Sequence, residues 1–170
     1  RKGKYGRNGE VHPIPGANMP LATLGMFILW FGWFGFNGGH ELKMSNVDEA
    51  NAVAQVFVNT NTAAAGGLVA ALILARVMFG KADLTMELNG VLAGLVSITA
   101  EPLTGSAIQS LLIGGVGGII VVLSIIIMDK VKLDDPVGAI SVHGTCGVWG
   151  LFAVCITNAD ATFLAQLMGT

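Results

Sequence analysis

Five long apolar stretches alternate with short polar ones along the 170-residue chain. A helix needs about 17 to 25 mostly apolar residues to cross a hydrocarbon core roughly 30 Å thick. The pattern therefore predicts five membrane-spanning helices, over residues 19–37, 50–79, 84–100, 106–128 and 137–157. The third is the shortest and carries Glu87 and Asn89 in its first turn, so its boundary is the least defined.

Composition supports a membrane protein and argues against an enzyme. Hydrophobic residues make up 53% of the chain and charged residues only 12%, a balance typical of a polytopic all-α bundle. The sequence has no nucleophile paired with a base, no carboxylate pair and no cluster of metal ligands. Cys146 and Cys155 fall in the fifth stretch, where small buried side chains are expected. We predict no cofactor and no metal site.

The placement of basic residues predicts the orientation, because cytoplasmic loops collect Lys and Arg. One side of the predicted bundle carries Arg1, Lys2, Lys4, Arg7, Arg76, Lys81, Lys130 and Lys132. The other side carries only Lys43. With five crossings the N-terminus lies inside, and the loops around residues 40–49, 101–105 and 158–160 lie outside.

Two features are interpreted as signs that the chain is a piece of a longer protein. It begins with Arg1 rather than Met, and it stops at Thr170 within a new apolar run.

His143 is the most unusual polar residue of the predicted spans. It follows small and apolar residues in SVHGTCGVWG, about 10 Å inside the cytoplasmic end at 1.5 Å per residue. A charged ring is costly in hydrocarbon, so a neutral imidazole that can both donate and accept is expected there. A structural histidine bonded to a neighbouring helix and a functional one are equally compatible with the sequence.

An aromatic cluster lies toward the outer end of the first span. It comprises Trp30, Trp33, Phe34 and Phe36, with glycines at 32 and 35. Tryptophan at this depth most often anchors a helix at the headgroups, which the sequence favours. The alternative is an inward-facing cluster that holds a small cation against ring faces, worth about 0.5 to 2 kcal/mol.

Small and polar residues within the spans predict close helix packing. Glycines recur at four-residue spacing in three spans, and a spacing of three joins Gly144, Gly147 and Gly150. Such positions let backbones approach in lipid. Asn59, in the run NTNT, is expected to bond across helices, and a pore-lining role is the lesser alternative. Before the fifth span, Asp135 can cap the helix and Pro136 can take its first position.

Four segments together resemble the ammonium transporter family, which includes the Rh proteins. They are FILWFGWFGFNGG, FVNTNTAAAGG, GVLAGLVSITA and KLDDPVGAISVHGTCGVWG, in this order and spacing, within a resemblance that runs from about Gly16 to the end. The resemblance implies a fold of eleven membrane helices, two inverted five-helix repeats and a last helix, assembled as a homotrimer with one pore per subunit. The five spans would then be helices six to ten. Residues 1–18 would form the cytoplasmic loop between the repeats, 19–157 the second repeat, and 158–170 an extracellular loop and the start of a further helix.

The resemblance also implies site residues. Trp33 resembles the tryptophan of the outer vestibule, Phe36 one of two gate phenylalanines, and His143 the second histidine of a hydrogen-bonded pair. Thr99 and Asn59 fall near pore or packing positions. A family carboxylate between the DDP run and the histidine is here Gly138.

The function that the resemblance implies is passage of ammonium or ammonia across the plasma membrane. A PII-type signalling protein is a possible partner of the full-length protein, and no nucleic acid is expected. An ammonium sensor that uses the same fold with an attached signalling domain is the alternative.

Overall fold

The structure, a computed structural model, describes residues 3–8, 10–12 and 14–170. Its helices are α1 (Met19–Gly39), α2 (Val47–Phe79), α3 (Leu84–Ile98), α4 (Ala107–Lys130), a π-helical turn (Ile140–Thr145) that continues into α5 (Cys146–Thr157), and α6 (Phe163–Gly169). The predicted all-α polytopic bundle is confirmed. Each of the five predicted spans begins and ends within three residues of the helix observed.

Capping side chains fix where the helices begin. The side chains of Asn18, Asn46 and Asp83 accept hydrogen bonds from backbone N–H groups in the first turns of α1, α2 and α3. Ser106 forms a reciprocal capping box with Gln109 at the start of α4. These bonds satisfy N–H groups that have no partner inside a helix.

In the part of the chain that the structure describes, four helical segments are long and apolar enough to cross a membrane: α1, α2, α4 and the continuous segment Ile140–Thr157. The chain is thus a multi-pass membrane protein. Helix α3 has only 15 residues, about 22 Å at 1.5 Å per residue, and it lies among α1, α2, α4 and α5. Its shortness agrees with the weak boundary of the third stretch.

Helices α2, α3 and α4 form the closely packed interior. A Cβ added to Gly114 of α4 would overlap the backbone carbonyl of Ala63 of α2, and one added to Gly118 would overlap Gly67. Gly67 also lies against Gly90 of α3. Backbones can approach this closely only where side chains are absent, which confirms the predicted packing role of the glycines at four-residue spacing in α3 and α4. The prediction is wrong for the pair in α1, since a Cβ on Gly35 or Gly39 would meet nothing within 4 Å.

The start of the fifth span differs from the prediction. The Asp135 carboxylate does act as a cap, since it accepts hydrogen bonds from the N–H groups of Ile140 and Ser141, each at 3.0 Å. Pro136, however, is not the first helical residue, because the helix begins at Ile140. Between them the chain makes a turn through Gly138, whose φ of 76° is accessible mainly to glycine. The helix therefore begins about one turn later in the chain than the predicted position at Pro136.

Candidate functional site

An open groove of about 660 Å³ contains the predicted aromatic and histidine residues. Helices α1, α3 and α5 build it. Its lining includes Trp33, Phe36, Val96, Thr99, Ala100, His143, Gly144, Gly147, Val148 and Leu151. We call this the aromatic–histidine groove. It brings together four of the five predicted site residues.

Helices α1, α3 and α5 run in the same direction. Trp33 contacts Thr99 near the C-terminal ends of α1 and α3, and a Cβ on Gly147 of α5 would meet Val96 of α3. His143 precedes Gly147 by about one turn, whereas Phe36 follows Trp33. Phe36 therefore lies nearer the C-terminal ends of these helices, which the charge pattern places outside, and His143 lies deeper.

Trp33 is fixed by a polar and an aromatic contact. Its indole N–H donates to Thr99 Oγ1 at 2.8 Å, and the Thr99 hydroxyl donates in turn to the Leu95 carbonyl at 2.7 Å. The Phe36 ring meets Trp33 edge to face, with ring centroids 5.8 Å apart. The Phe36 side chain is 63% exposed. Both rings thus stand at the groove in a defined arrangement, while the neighbouring Phe34 packs on Phe57 of α2 at 5.4 Å.

His143 lies in the middle of the π-helical turn. The Cys146 N–H donates to the Ser141 carbonyl, five residues earlier, so this turn is wider than an α-helical one. The His143 side chain is exposed in the groove and has no hydrogen-bond partner among the residues that the structure describes. The predicted alternative of a histidine bonded to a neighbouring helix is thus not observed among the described residues of this chain.

Asn59 is not brought together with the other four residues. Its side chain is fully buried, and its amide donates to the carbonyls of Pro102 at 2.9 Å and Gly105 at 2.7 Å. It also accepts a hydrogen bond from Gln55. Asn59 therefore fastens the loop between α3 and α4 to α2, which is the packing alternative for this residue.

Several groove residues were not among the predicted site residues. Gly144 and Gly147 line the groove, whereas Gly150 packs against the Ser97 backbone, so only part of the glycine series at spacing three serves helix contact. The spacing of the glycines alone does not distinguish those that line the groove from those that pack against another helix. Their proximity to His143 along one helix face is the signal that could have done so.

The grooved face continues toward the N-terminal ends of α1 and α3. A depression of about 1070 Å³ lies there. Met26 and Leu29 of α1 and Leu88 and Leu92 of α3 contribute to its wall. Leu29 and Leu92 stand one turn before Trp33 and Val96, so the two depressions share one face that extends along both helices.

Membrane-length helices and glycine-mediated packing define a polytopic membrane protein. Comparison with known proteins identifies the family. The sequence model of the Ammonium Transporter Family matches residues 1–169, so the chain belongs to that family, as its sequence predicted. Its curated relatives in Archaeoglobus fulgidus and Arabidopsis thaliana bear the names of ammonium transporters, in agreement with the prediction that the chain is not an enzyme.

Individual relatives agree with this assignment. The chain is 44% identical to ammonium transporter Amt2 of Archaeoglobus fulgidus over 163 residues, which is 96% of this chain and 34% of that protein. A solved structure described as "Sensor Amt Protein" matches with a TM-score of 0.82 at 41% identity, over 91% of this chain and 37% of that one. Nitrosomonas europaea Rh50 matches with a TM-score of 0.77 at 26% identity, over 93% and 42% of the two chains. The chain thus spans about a third of the length of the first relatives it matches.

Proposed function

We propose that this chain forms one wall of a pore that carries ammonium or ammonia across the plasma membrane. The observation that carries the proposal is the aromatic–histidine groove, which joins Trp33, Phe36, Thr99 and His143 on one face of a chain from the ammonium transporter family. Trp33 and Phe36 offer ring faces and edges to a small cation at the outer end. His143 offers a polar group deeper in an apolar path.

The proposed route begins with a cation held by the aromatic side chains. A desolvated cation gains about 2 kcal/mol or more from a ring face, and the exposed Phe36 ring lies beside Trp33 on its outer side. Further in, Val96, Val148 and Leu151 give an apolar lining. Such a lining disfavours ions, so a neutral species that can hydrogen-bond to the His143 ring passes more readily.

We further propose that the groove is closed by a first five-helix repeat and that the assembly is a homotrimer. In this arrangement residues 1–18 connect the repeats, 19–157 form the second repeat, and 158–170 lead to a further helix. The exposure of the groove supports this, because an imidazole facing lipid would be costly. A PII-type protein remains a proposed partner of the full-length protein.

Transport is preferred to sensing because the curated relatives are named transporters. The solved neighbour described as a sensor has the same repeat fold, so the fold alone does not separate the two functions. A signalling domain attached beyond residue 170 would favour sensing.

The test is uptake of labelled methylammonium into liposomes that contain the purified full-length protein. We expect methylammonium flux that exceeds potassium flux. The 170-residue chain reconstituted alone is expected not to conduct, because one repeat supplies only one wall. Liposomes with the full-length protein are the positive control for that measurement. Lack of flux by the full-length protein would contradict transport, and flux by the chain alone would contradict the need for a second wall.

A further inference from the structure

A line of hydroxyl groups runs along the side of the π-helical turn that faces away from the groove. Ser124 of α4 lies opposite this turn. Its Oγ lies 3.1 Å from Ser141 Oγ and 2.9 Å from Thr145 Oγ1. Ser141 is fully buried and Ser124 is 4% exposed. One hydroxyl of a neighbouring helix thus joins the beginning and the end of the turn that carries His143.

The loop before the turn completes this hydroxyl line. The Ser141 hydroxyl and the Ser141 N–H both donate to Asp135 Oδ2, each at 3.0 Å. Because the Ser141 proton is directed to the carboxylate, Ser141 Oγ accepts from Ser124, and Ser124 Oγ accepts from Thr145. A hydrogen bond to a carboxylate is stronger than one between neutral groups, and hydrogen bonds in a chain polarise one another. The Asp135 carboxylate therefore orders all three hydroxyls.

The turn needs support from outside its own backbone. A π-helical turn contains one more residue between hydrogen-bonded groups than an α-helical turn, and it is rare as a local structure. Here the Cys146 N–H reaches Ser141 rather than the residue after it. If the turn reverted to α-helix, the residues before and after it would rotate relative to each other. His143, between Ser141 and Thr145, would then leave its place in the groove.

We propose that Ser124 is a positioning residue for His143. Its hydroxyl holds Ser141 and Thr145 on α4, which keeps the π-helical turn in place and directs the imidazole into the aromatic–histidine groove. Ser124 itself does not line the groove, so it acts only through the turn. The role in conduction rests on the proposed function, whereas the effect on the orientation of the ring does not.

The test compares Ser124→Ala with Ser110→Ala in the full-length protein. Ser110 is also a fully buried serine of α4, but its hydroxyl donates to the Ser106 carbonyl of its own helix, so it is a matched control. The first measurement is the NMR signal of nitrogen-labelled histidine, with the His143 signals assigned by their loss in His143→Gln. The second is the ratio of methylammonium to potassium flux.

We expect Ser124→Ala to shift the His143 ring signals and to lower the flux ratio by about three- to tenfold, since one net hydrogen bond corresponds to a factor of this order. Ser110→Ala should change neither. Thr145→Val removes one hydroxyl without opening a cavity and should shift the same signals, which decides the matter if Ser124→Ala does not fold.

Unchanged His143 signals in the folded variants would overturn the proposal, as would an equal shift in Ser110→Ala. If the wild-type protein conducts no methylammonium, the proposed function fails, but the NMR comparison still tests whether Ser124 positions the ring.

Discussion

Two regions of the bundle are built from similarly apolar helices but pack in opposite ways. Where α2 crosses α4, the backbone of Ala63 lies directly against Gly114. Where α1, α3 and α5 meet, Trp33, Phe36 and His143 line an open groove. The closed region uses residues without bulky side chains, so that backbones touch, whereas large side chains project into the groove.

Polar groups are treated differently in the two regions. Inside the bundle, Asn59 and Ser124 have hydrogen-bond partners, as burial requires. In the groove, His143 has no partner among the described residues, although Trp33 is bonded to Thr99. A polar group that is left free in an apolar wall is available to a solute or to another chain segment. Substitutions should therefore affect folding in the closed region and conduction in the groove.

The largest expected effect concerns conduction in the groove. His143→Leu in the full-length protein should abolish methylammonium flux by filling the path with an apolar side chain. His143→Ala should leave folding intact and change the flux or its selectivity over potassium, because the smaller side chain leaves space that water can enter. Flux and thermal unfolding measured for both variants test this. An unstable His143→Ala protein that keeps its selectivity would assign His143 a structural role.

The next effect concerns stability in the closed region. Gly114→Ala should destabilise the protein by about 1 to 3 kcal/mol, because the added methyl group overlaps the Ala63 carbonyl. Gly115→Ala is the control on the adjacent residue, whose Cβ would meet Gly66 only at 3.8 Å. Since alanine favours helix over glycine by roughly 0.5 to 1 kcal/mol, Gly115→Ala should be neutral or stabilising. Equal unfolding temperatures for the two variants would contradict the close approach of α2 and α4.

Asn59 tests whether the two regions are separate. Asn59→Leu should lower stability by about 1 to 3 kcal/mol, because the Pro102 and Gly105 carbonyls lose their donor. The selectivity of methylammonium over potassium should not change, since the residue lies outside the groove. Asn61→Leu is the control, because Asn61 is exposed. A selectivity change in Asn59→Leu without loss of stability would return Asn59 to the pathway.

The sequence predicted the helices and the family more fully than the site. Hydropathy and capping residues are local signals, so the bounds of the five long helices could be predicted within a few residues. Other contacts depend on how helices cross, which no local pattern encodes. They are the hydrogen bond of Trp33 to Thr99 and the hydrogen bonds of Ser124 to Ser141 and Thr145. The π-helical turn was missed for the same reason. Its wider geometry is stabilised by Asp135 and α4, not by the propensities of its own residues.

The smallest expected effect concerns the N-terminal segment outside the membrane spans. The Lys4 side chain and the Tyr5 hydroxyl both bind the Asp129 carboxylate at the end of α4, and the Lys4 N–H donates to Asp134. These contacts dock the segment beside the loop that leads to the π-helical turn. An exposed ion pair of this kind contributes at most about 1 kcal/mol, so the docking is weak and should depend on pH.

The direction of that pH dependence follows from the shifted pKa values. The hydrogen bond with Asp129 raises the pKa of Lys4 above 10.5. Loss of solvation, and then the hydrogen bond with Asp129, raise the pKa of Tyr5 above 10.0. Groups with raised pKa values stabilise the docked state below their ordinary pKa values, and the contribution is lost as the pH rises through the docked-state values. Docking should therefore weaken above about pH 10.

Asp129→Asn should lower the pH midpoint of Tyr5 ionisation, measured as tyrosinate absorbance by difference from Tyr5→Phe in each background. The part of the shift that comes from desolvation should remain as long as the segment stays docked. Asp160→Asn, which removes an exposed carboxylate from the opposite side of the predicted bundle, is the control and should leave the midpoint unchanged. Equal midpoints in the wild type and Asp129→Asn would show that this carboxylate does not hold the segment, and would leave Asp134 as the contact that ties it to the loop before His143.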